Sequence, residues 1–487
     1  MAPLSTLLGL LTLALVTTAN AAVNDPRGAT GVCKEIQDRV SAATDVVFPY
    51  QVLTFNDAIR HWFLSSQERP ECVVLAGSAL DVSAVLQIVG PARTPFAVYS
   101  GGHASNPGFS STKGVHISLE RLSEISLAED QKTVKIGFGA IWKDVYEALE
   151  PFGVNVVGGR VIGPAVGGLT LGGGYSWRTN QYGLTVDTVK LFNVILPNGT
   201  LTTASEIHNP DLFFALKGGL NRFGIVTSAE FYTHPQPPKV WGGLRLYSRK
   251  HVPQLLNATE RFFYENTDPK SAIITTINGD GLGTSAMVLF FHDGPKKPKS
   301  LEVFDGIPAQ LDNVGTKSFT GLVGSFPAYL VQNVRGTFAT ISTSELSARF
   351  LKAIEQEAAD IGKISALHSG TAVSYDIEPF TAYGEHATES AFPHADSPLP
   401  LNLYFAWANP KEDQWWYARM KESIKKLKQV AIEDGIYLDS FTAYPNYAIS
   451  GTTAEELYGP ANAARLRSIR SHIDPDRVMD LAGGFDI

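Results

Sequence analysis

From residue 70 onward, short glycine-bounded apolar runs alternate with stretches whose apolar positions recur three and four apart. "ECVVLAG" and "PFAVYSGG" have the first pattern and predict strands, while "ALDVSAVLQIVG" between them has the second and predicts an amphipathic helix. "GVHISLERL" and "KTVKIGFGA" follow as strands, then "IWKDVYEALEPFG" as a helix that Gly153 stops. "VKLFNVILPNGTLTTAS" predicts a hairpin turning at Asn198-Gly199, and "NPDLFFALKGGLNRFGIVTSAEFYTHP" a helix, a glycine loop and a strand. Proline-rich "THPQPPKV", Thr233 to Val240, marks a boundary. Beyond it lie helical stretches at about 250–266 and 345–361, strands such as "SAMVLFFHD" and "LNLYFAW", and a last helix within Ala461 to Asp480, stopped by Pro475. In "LNLYFAW" period-two alternation puts Asn402 and Tyr404 on one face and Leu401, Leu403 and Phe405 on the other. The fold class is α+β, with sheets in two domains.

Composition narrows this. The 487 residues are 44% hydrophobic and 18% charged, a globular balance with room for more than one core. A formal charge of −8 without a Lys/Arg cluster speaks against a nucleic-acid partner. An apolar stretch from Leu7 to Val16 precedes Ala19-Asn20-Ala21, which predicts a cleavable signal peptide over residues 1–21 and a secreted product, although no Lys or Arg precedes the stretch. No other run is long and apolar enough to cross a membrane, so none is expected in the mature form. Cys33 and Cys72 are the only cysteines; in an oxidising compartment they pair, and otherwise they are two buried thiols. Asn198-Gly-Thr and Asn257-Ala-Thr are glycosylation acceptors, with Asn198 in a tight turn.

Several kinds of chemistry are missing. There is no G-x-x-x-x-G-K-[ST] loop, no G-x-G-x-x-G between strand and helix, and no H-E-x-x-H. Gly174-Tyr-Ser-Trp-Arg fails as a nucleophile elbow because Arg178 replaces the second glycine, and two cysteines cannot build a zinc cluster. What remains is glycine. Ser100-Gly101-Gly102-His103 follows a strand, and Gly158-Gly159-Arg160 precedes "GPAVGGLTLGGGYS". Without Cβ atoms such loops bring backbone N–H groups close to an anion, so the pair could hold a pyrophosphate and the rings of a dinucleotide. Singly, each is also an ordinary turn, and Gly172-Gly173-Gly174 could serve tight backbone packing alone.

Together "YSGGHA", "GGLTLGGGYS", "NQYGLTVDTV" and "LKGGLNRFGIVT" resemble the flavin-binding signatures of berberine-bridge-enzyme-like FAD-linked oxidases of the vanillyl-alcohol-oxidase superfamily; "AYPNYA" and "HIDPDRVM" resemble that family's C-terminal elements. The resemblance implies a two-domain PCMH-type FAD-binding fold: an FAD domain over 35–237, a central domain of antiparallel sheet covered by helices over 238–440, and a segment over 441–487 that returns to the FAD domain. It implies that His103 bonds covalently to the flavin 8α carbon. Ser100, Gly101, Gly102, Ala104, Gly159, Gly163, Gly167, Gly168, Gly172, Gly173, Tyr182, Gly183, Val226 and Asn446 would surround the cofactor. A neutral imidazole suits that nucleophilic role.

Two positions refine the expectation. Val161 stands where bicovalent members carry a cysteine, which implies a single link. Gly159 falls where the family gates oxygen, and a missing side chain there implies an oxidase. Tyr447 resembles the family tyrosine beside the ring and is the candidate base or substrate orienter, with Arg160 and His394 as candidate cationic neighbours; Asn402 and Tyr404 are further catalytic candidates. The strand holding Asn402 offers no carboxylate. No metal is expected. The implied activity is oxidation of an alcohol, amine or activated C–H of a small organic molecule with O₂ as acceptor. "YFAW", "FPH" and "WW" suggest an apolar roof suited to a specialised-metabolism intermediate. The alternatives are a secreted carbohydrate oxidase and a flavin-binding glycoprotein without turnover.

Overall fold

The computed structural model describes residues 28–326 and 333–487, so the expected signal peptide lies outside the described residues. Three large sheets organise the described residues, beside a two-stranded pairing of Val154–Asn155 with His234–Pro235. The first orders Asp45–Val47, Cys72–Leu75, Val115–Ser118 and Phe96–Tyr99, the last three parallel. Parallel neighbours need a crossover, and the helix Ala79–Val89 supplies it, started by Ser78, whose side chain accepts from the Asp81 amide. The helix Gly28–Arg39 is bound to this sheet by the Cys33–Cys72 disulfide, as one of the two expectations held. Its ends are 39 residues apart, for which loop-closure entropy gives about 4 kcal/mol. A Cys33→Ala/Cys72→Ala protein should therefore lose about 3–4 kcal/mol in a denaturant titration; an unchanged midpoint would contradict this.

The second sheet is antiparallel and orders Ile125–Leu127, Thr133–Gly137, Ile225–Tyr232, Val189–Ile195 and Leu201–Ala204. Its hairpin turns at Gly199 (φ 85°) as the sequence predicts, leaving Asn198 exposed. The helix Trp142–Leu149 passes through a short 3₁₀ turn and ends at Gly153, at φ 65°.

The third sheet has seven antiparallel strands in the order Leu311–Lys317, Val240–Tyr247, Gly283–His292, Ser271–Asp280, Gly370–Ile377, Leu399–Trp407 and Arg335–Thr343. Helices Val252–Glu265, Ala348–Ser365 and Asp413–Glu433 cover one face. Val373, Tyr375 and Ile377 share that covered core with Leu401, Leu403 and Phe405. The opposite face presents Ser374, Asp376, Asn402 and Tyr404, so the alternation read from the sequence holds. The helix Asp413–Glu433 was not expected, and it corrects the roof: Trp416 is buried against Trp407 (ring centroids 5.8 Å) on the covered face, away from the polar one. Asn257 is exposed within a helix, while Thr259 of its sequon is buried and bonds Thr275 through their hydroxyls at 2.7 Å.

The last helix, Ala454–Ile473, starts earlier than expected because Thr453 and Glu456 form a capping box, and Gly459-Pro460 only kinks it. It packs on the helix Pro210–Leu216 of the first half of the chain. Arg222 donates to the carbonyls of Met479, Gly484 and Phe485, so the C-terminal segment returns to the N-terminal lobe. Among the described residues no helix is long and apolar enough to cross a membrane.

Candidate active site

The strand Phe96–Tyr99 delivers the chain into the first glycine loop. Ser100 Oγ donates to the Phe138 carbonyl at 2.5 Å. Gly101 lies against Ala165, whose Cβ would be 2.7 Å from any Cβ there. Gly102 sits at φ 63°, a conformation glycine adopts without strain, and its carbonyl accepts from the Trp62 amide at 2.9 Å. His103 follows, half-buried, with its imidazole stacked on the Trp62 indole (4.4 Å, 28° between planes). Neither ring nitrogen has a hydrogen-bond partner among the described residues. Burial, with His61 nearby, pulls the imidazole down to about 4, so at neutral pH it carries a free lone pair.

The second loop interlocks with the first. A Cβ on Gly167 would lie 2.8 Å from Ser100 Oγ, whereas one on Gly168 would meet nothing within 4 Å. A Cβ on Gly163 would come no closer than 3.6 Å to His103 Nε2 and 3.7 Å to Trp62. A flavin fits what results: an unbonded neutral imidazole beside space left by two residues without side chains. Ala104 is half-buried beside His103, and Val226 is a buried strand residue next to a bulge at Thr227.

Other glycines make room for neighbouring side chains. A Cβ on Gly159 would meet the Trp142 ring at 2.5 Å, and the Gly159 carbonyl accepts from Tyr146 at 2.6 Å; packing against Trp142 demands glycine there, so its missing side chain is no evidence for an oxygen gate. Gly172 makes room for Asn446, which would lie 2.1 Å from a Cβ, and Gly173 for Tyr444. Asn446 in turn donates to the Leu169 carbonyl (3.0 Å) and to the Tyr444 hydroxyl (2.9 Å). Gly183 at φ 83° clears Asp187. Tyr182 stacks on His234 at 3.8 Å and lies under the Arg178 guanidinium.

The polar face of the third sheet supplies the other half of the site. Arg160 forms a buried ion pair with Glu378 (2.7 Å), and its second guanidinium nitrogen donates to Glu378 (2.9 Å) and to the Tyr447 hydroxyl (2.5 Å). Tyr447 donates onward to Glu378 at 3.1 Å. Two residues before Glu378, Asp376 accepts from Thr276 Oγ1 (2.7 Å) and from Asn402 Nδ2 (3.0 Å). Burial, reinforced by the Glu378 charge, raises Asp376 to about 6 against the pull of its hydrogen bonds. Tyr447 is pushed well above its usual value by burial, although Arg160 opposes this. Tyr404, also raised by burial, forms an aromatic wall with Phe63 and Phe338, and Phe338 lies 6.0 Å from the Tyr447 ring.

Arg160 is thus the neighbour of Tyr447 that the sequence named. His394 is not: its Nε2 lies 2.9 Å from Asp187, and its other nitrogen is spent on the Phe392 carbonyl. The carboxylates missing from the Asn402 strand are Asp376, on the adjacent strand, and Glu378, one residue past its end. The sequence reading missed them; alternation with Tyr375 and Ile377 in "YDIE" is the signal that marks them. Trp62 had no sequence signal. Among the described residues no group of side chains is suited to a metal ion.

Residues 70–205 match a family profile described as FAD binding domain. The chain is 30% identical to the FAD-dependent monooxygenase drtC of Aspergillus calidoustus, over 97% of this chain and 94% of that one. It is 38% identical to an uncharacterized FAD-linked oxidoreductase of Arthroderma benhamiae, over 54% of this chain and only 53% of the relative's length. Among solved structures, 6-hydroxy-D-nicotine oxidase from Arthrobacter nicotinovorans superposes with a TM-score of 0.76 at 22% identity, covering 92% and 98% of the two chains. Berberine bridge enzyme from Eschscholzia californica superposes at 0.74 and 18%, covering 92% and 97%. With its interlocked glycine loops, the chain belongs with drtC to a family of FAD-dependent oxidoreductases, and its two-part α+β fold is that of berberine bridge enzyme.

Proposed function

We propose that this oxidoreductase is an oxidase that holds FAD by one covalent bond at His103 and removes hydride from a small organic molecule at a C–H beside an O–H or N–H. O₂ is the acceptor and H₂O₂ the product. The observation that carries the reading is the joint made by Tyr447, which bonds both to Arg160 of the second glycine loop and to Glu378 of the substrate sheet. Residues 35–237 and 441–487 would form the flavin domain and 238–440 the substrate domain, a division supported by the separate seven-stranded sheet. Secretion and glycans on exposed Asn198 and Asn257 complete the reading.

Ser100, Gly101, Gly102, Gly163, Gly167 and Gly168 would line the cofactor and His103 would tether it; both cysteines are joined to each other, which leaves no thiol for a second link. Bound FAD supplies a two-electron acceptor that O₂ can reoxidise. Asp376 takes the substrate proton: a carboxylate near 6 is ionised at neutral pH yet basic enough to act. Thr276 and Asn402 fix its two oxygens. Tyr447, kept protonated by burial, orients: Arg160 and Glu378 hold its hydroxyl, which has a lone pair left for a substrate O–H or N–H. Phe63, Phe338 and Tyr404 favour a flat apolar body, as in specialised metabolism, over a free sugar.

Turnover under ¹⁸O₂ tests this. The account expects one H₂O₂ per substrate consumed and an unlabelled organic product. Label in the product without H₂O₂ would replace the oxidase with a monooxygenase.

A further inference from the structure

Resting on the reading of His103 as the tether, the geometry assigns Trp62 as the positioning residue that presents the imidazole for attachment. Three observations carry it. Among the described residues His103 makes no hydrogen bond through either nitrogen, so no polar contact there sets the plane of its ring. The Trp62 indole lies against it at 4.4 Å and 28°, near-parallel, and is its one aromatic contact among the described residues. Gly163, without a side chain, lies at the rim of the stacked pair: a Cβ there would be 3.6 Å from His103 Nε2 and 3.7 Å from Trp62. Among the described residues the Trp62 indole is thus the one flat surface that sets the plane of the imidazole.

Trp62 is itself held from two domains. Its amide donates to the Gly102 carbonyl (2.9 Å), within the loop that carries His103. Its carbonyl accepts from the Asn333 amide (3.0 Å), and the next residue, Phe63, bridges in parallel to Val334 at the edge of the substrate sheet. Ser65 Oγ then donates to the Gly336 carbonyl at 2.8 Å. The segment 62–65 extends the substrate sheet by a short edge piece, so seating of that domain fixes the indole and, through it, the nucleophile.

Attachment joins an imidazole nitrogen to the 8α carbon. One C–H and the N–H are lost, two protons and two electrons in all; the electrons enter the flavin and pass to O₂, giving H₂O₂. A ring free to rotate would seldom point its lone pair at that carbon, and misorientation of this order is costly. A stacked ring also loses little entropy when it reacts.

The test follows acid-stable flavin over time after FAD is added to apoprotein from riboflavin-starved cells, with non-covalent FAD binding measured by ultrafiltration. Trp62→Leu, which fills volume without a flat face, should slow attachment by about tenfold or more, as should Trp62→Ala, while Trp62→Phe stays within about threefold of the parent. Non-covalent binding should hold in all three. If Trp62→Leu attaches as fast as Trp62→Phe, or Trp62→Phe is as slow as Trp62→Ala, stacking does not position the ring and the assignment falls. If the parent attaches no flavin, or His103→Ala still does, the tether reading fails and this assignment with it, a result visible before any Trp62 variant is made.

Discussion

Replacing Asp376 with Asn is expected to lower kcat/KM by about 10²–10⁴, the usual worth of a general base, with bound flavin unchanged. The amide keeps the size of the side chain and can still accept from Thr276, so the loss is chemical rather than structural. The pH dependence carries the sign. Asp376 is raised to about 6 by burial, so it is protonated and unable to accept below that pH and ionised above it. In the parent, kcat/KM should therefore rise with pH through an inflection near 6, and Asp376→Asn should abolish it. A variant that retains both rate and inflection would move the base elsewhere.

Loss of Glu378 has the second large effect, and it separates two roles. Glu378→Ala leaves the Arg160 guanidinium buried without its partner, and breaking such a pair costs about 3–5 kcal/mol of stability. Glu378→Gln keeps the shape and removes the charge. Because that charge helps to raise Asp376, the inflection in kcat/KM should move to lower pH in Glu378→Gln. Chemical denaturation checks the first expectation and a pH–rate profile the second. An inflection left in place would mean that burial alone sets Asp376.

How much of this was legible follows from how local each signal is. Strands and helices with clear spacing, the hairpin at Gly199 and the stop at Gly153 are local, and they were read correctly. The helix Asp413–Glu433 was equally legible, since Trp416, Met420, Leu427 and Ala431 fall on one face, but its tryptophans were taken for a roof. Glycines divide less clearly. A run of glycine signals close approach without saying to what: Gly168 faces open space, whereas Gly159 and Gly172 face Trp142 and Asn446. His103 and Tyr447 came from motif likeness, and their surroundings came only from the fold. Trp62 reaches His103 across 40 intervening positions, and Glu378 stands 218 positions from Arg160, so neither contact leaves a periodic trace.

The most direct test of the account is the visible spectrum of the unfolded protein, read together with peptide masses from its digest. The yellow absorbance should stay with the polypeptide after denaturation, and one peptide, the one containing His103, should carry the mass of the flavin. Release of all colour into the filtrate, or an adduct on any other peptide, would contradict the tether from which the rest is built.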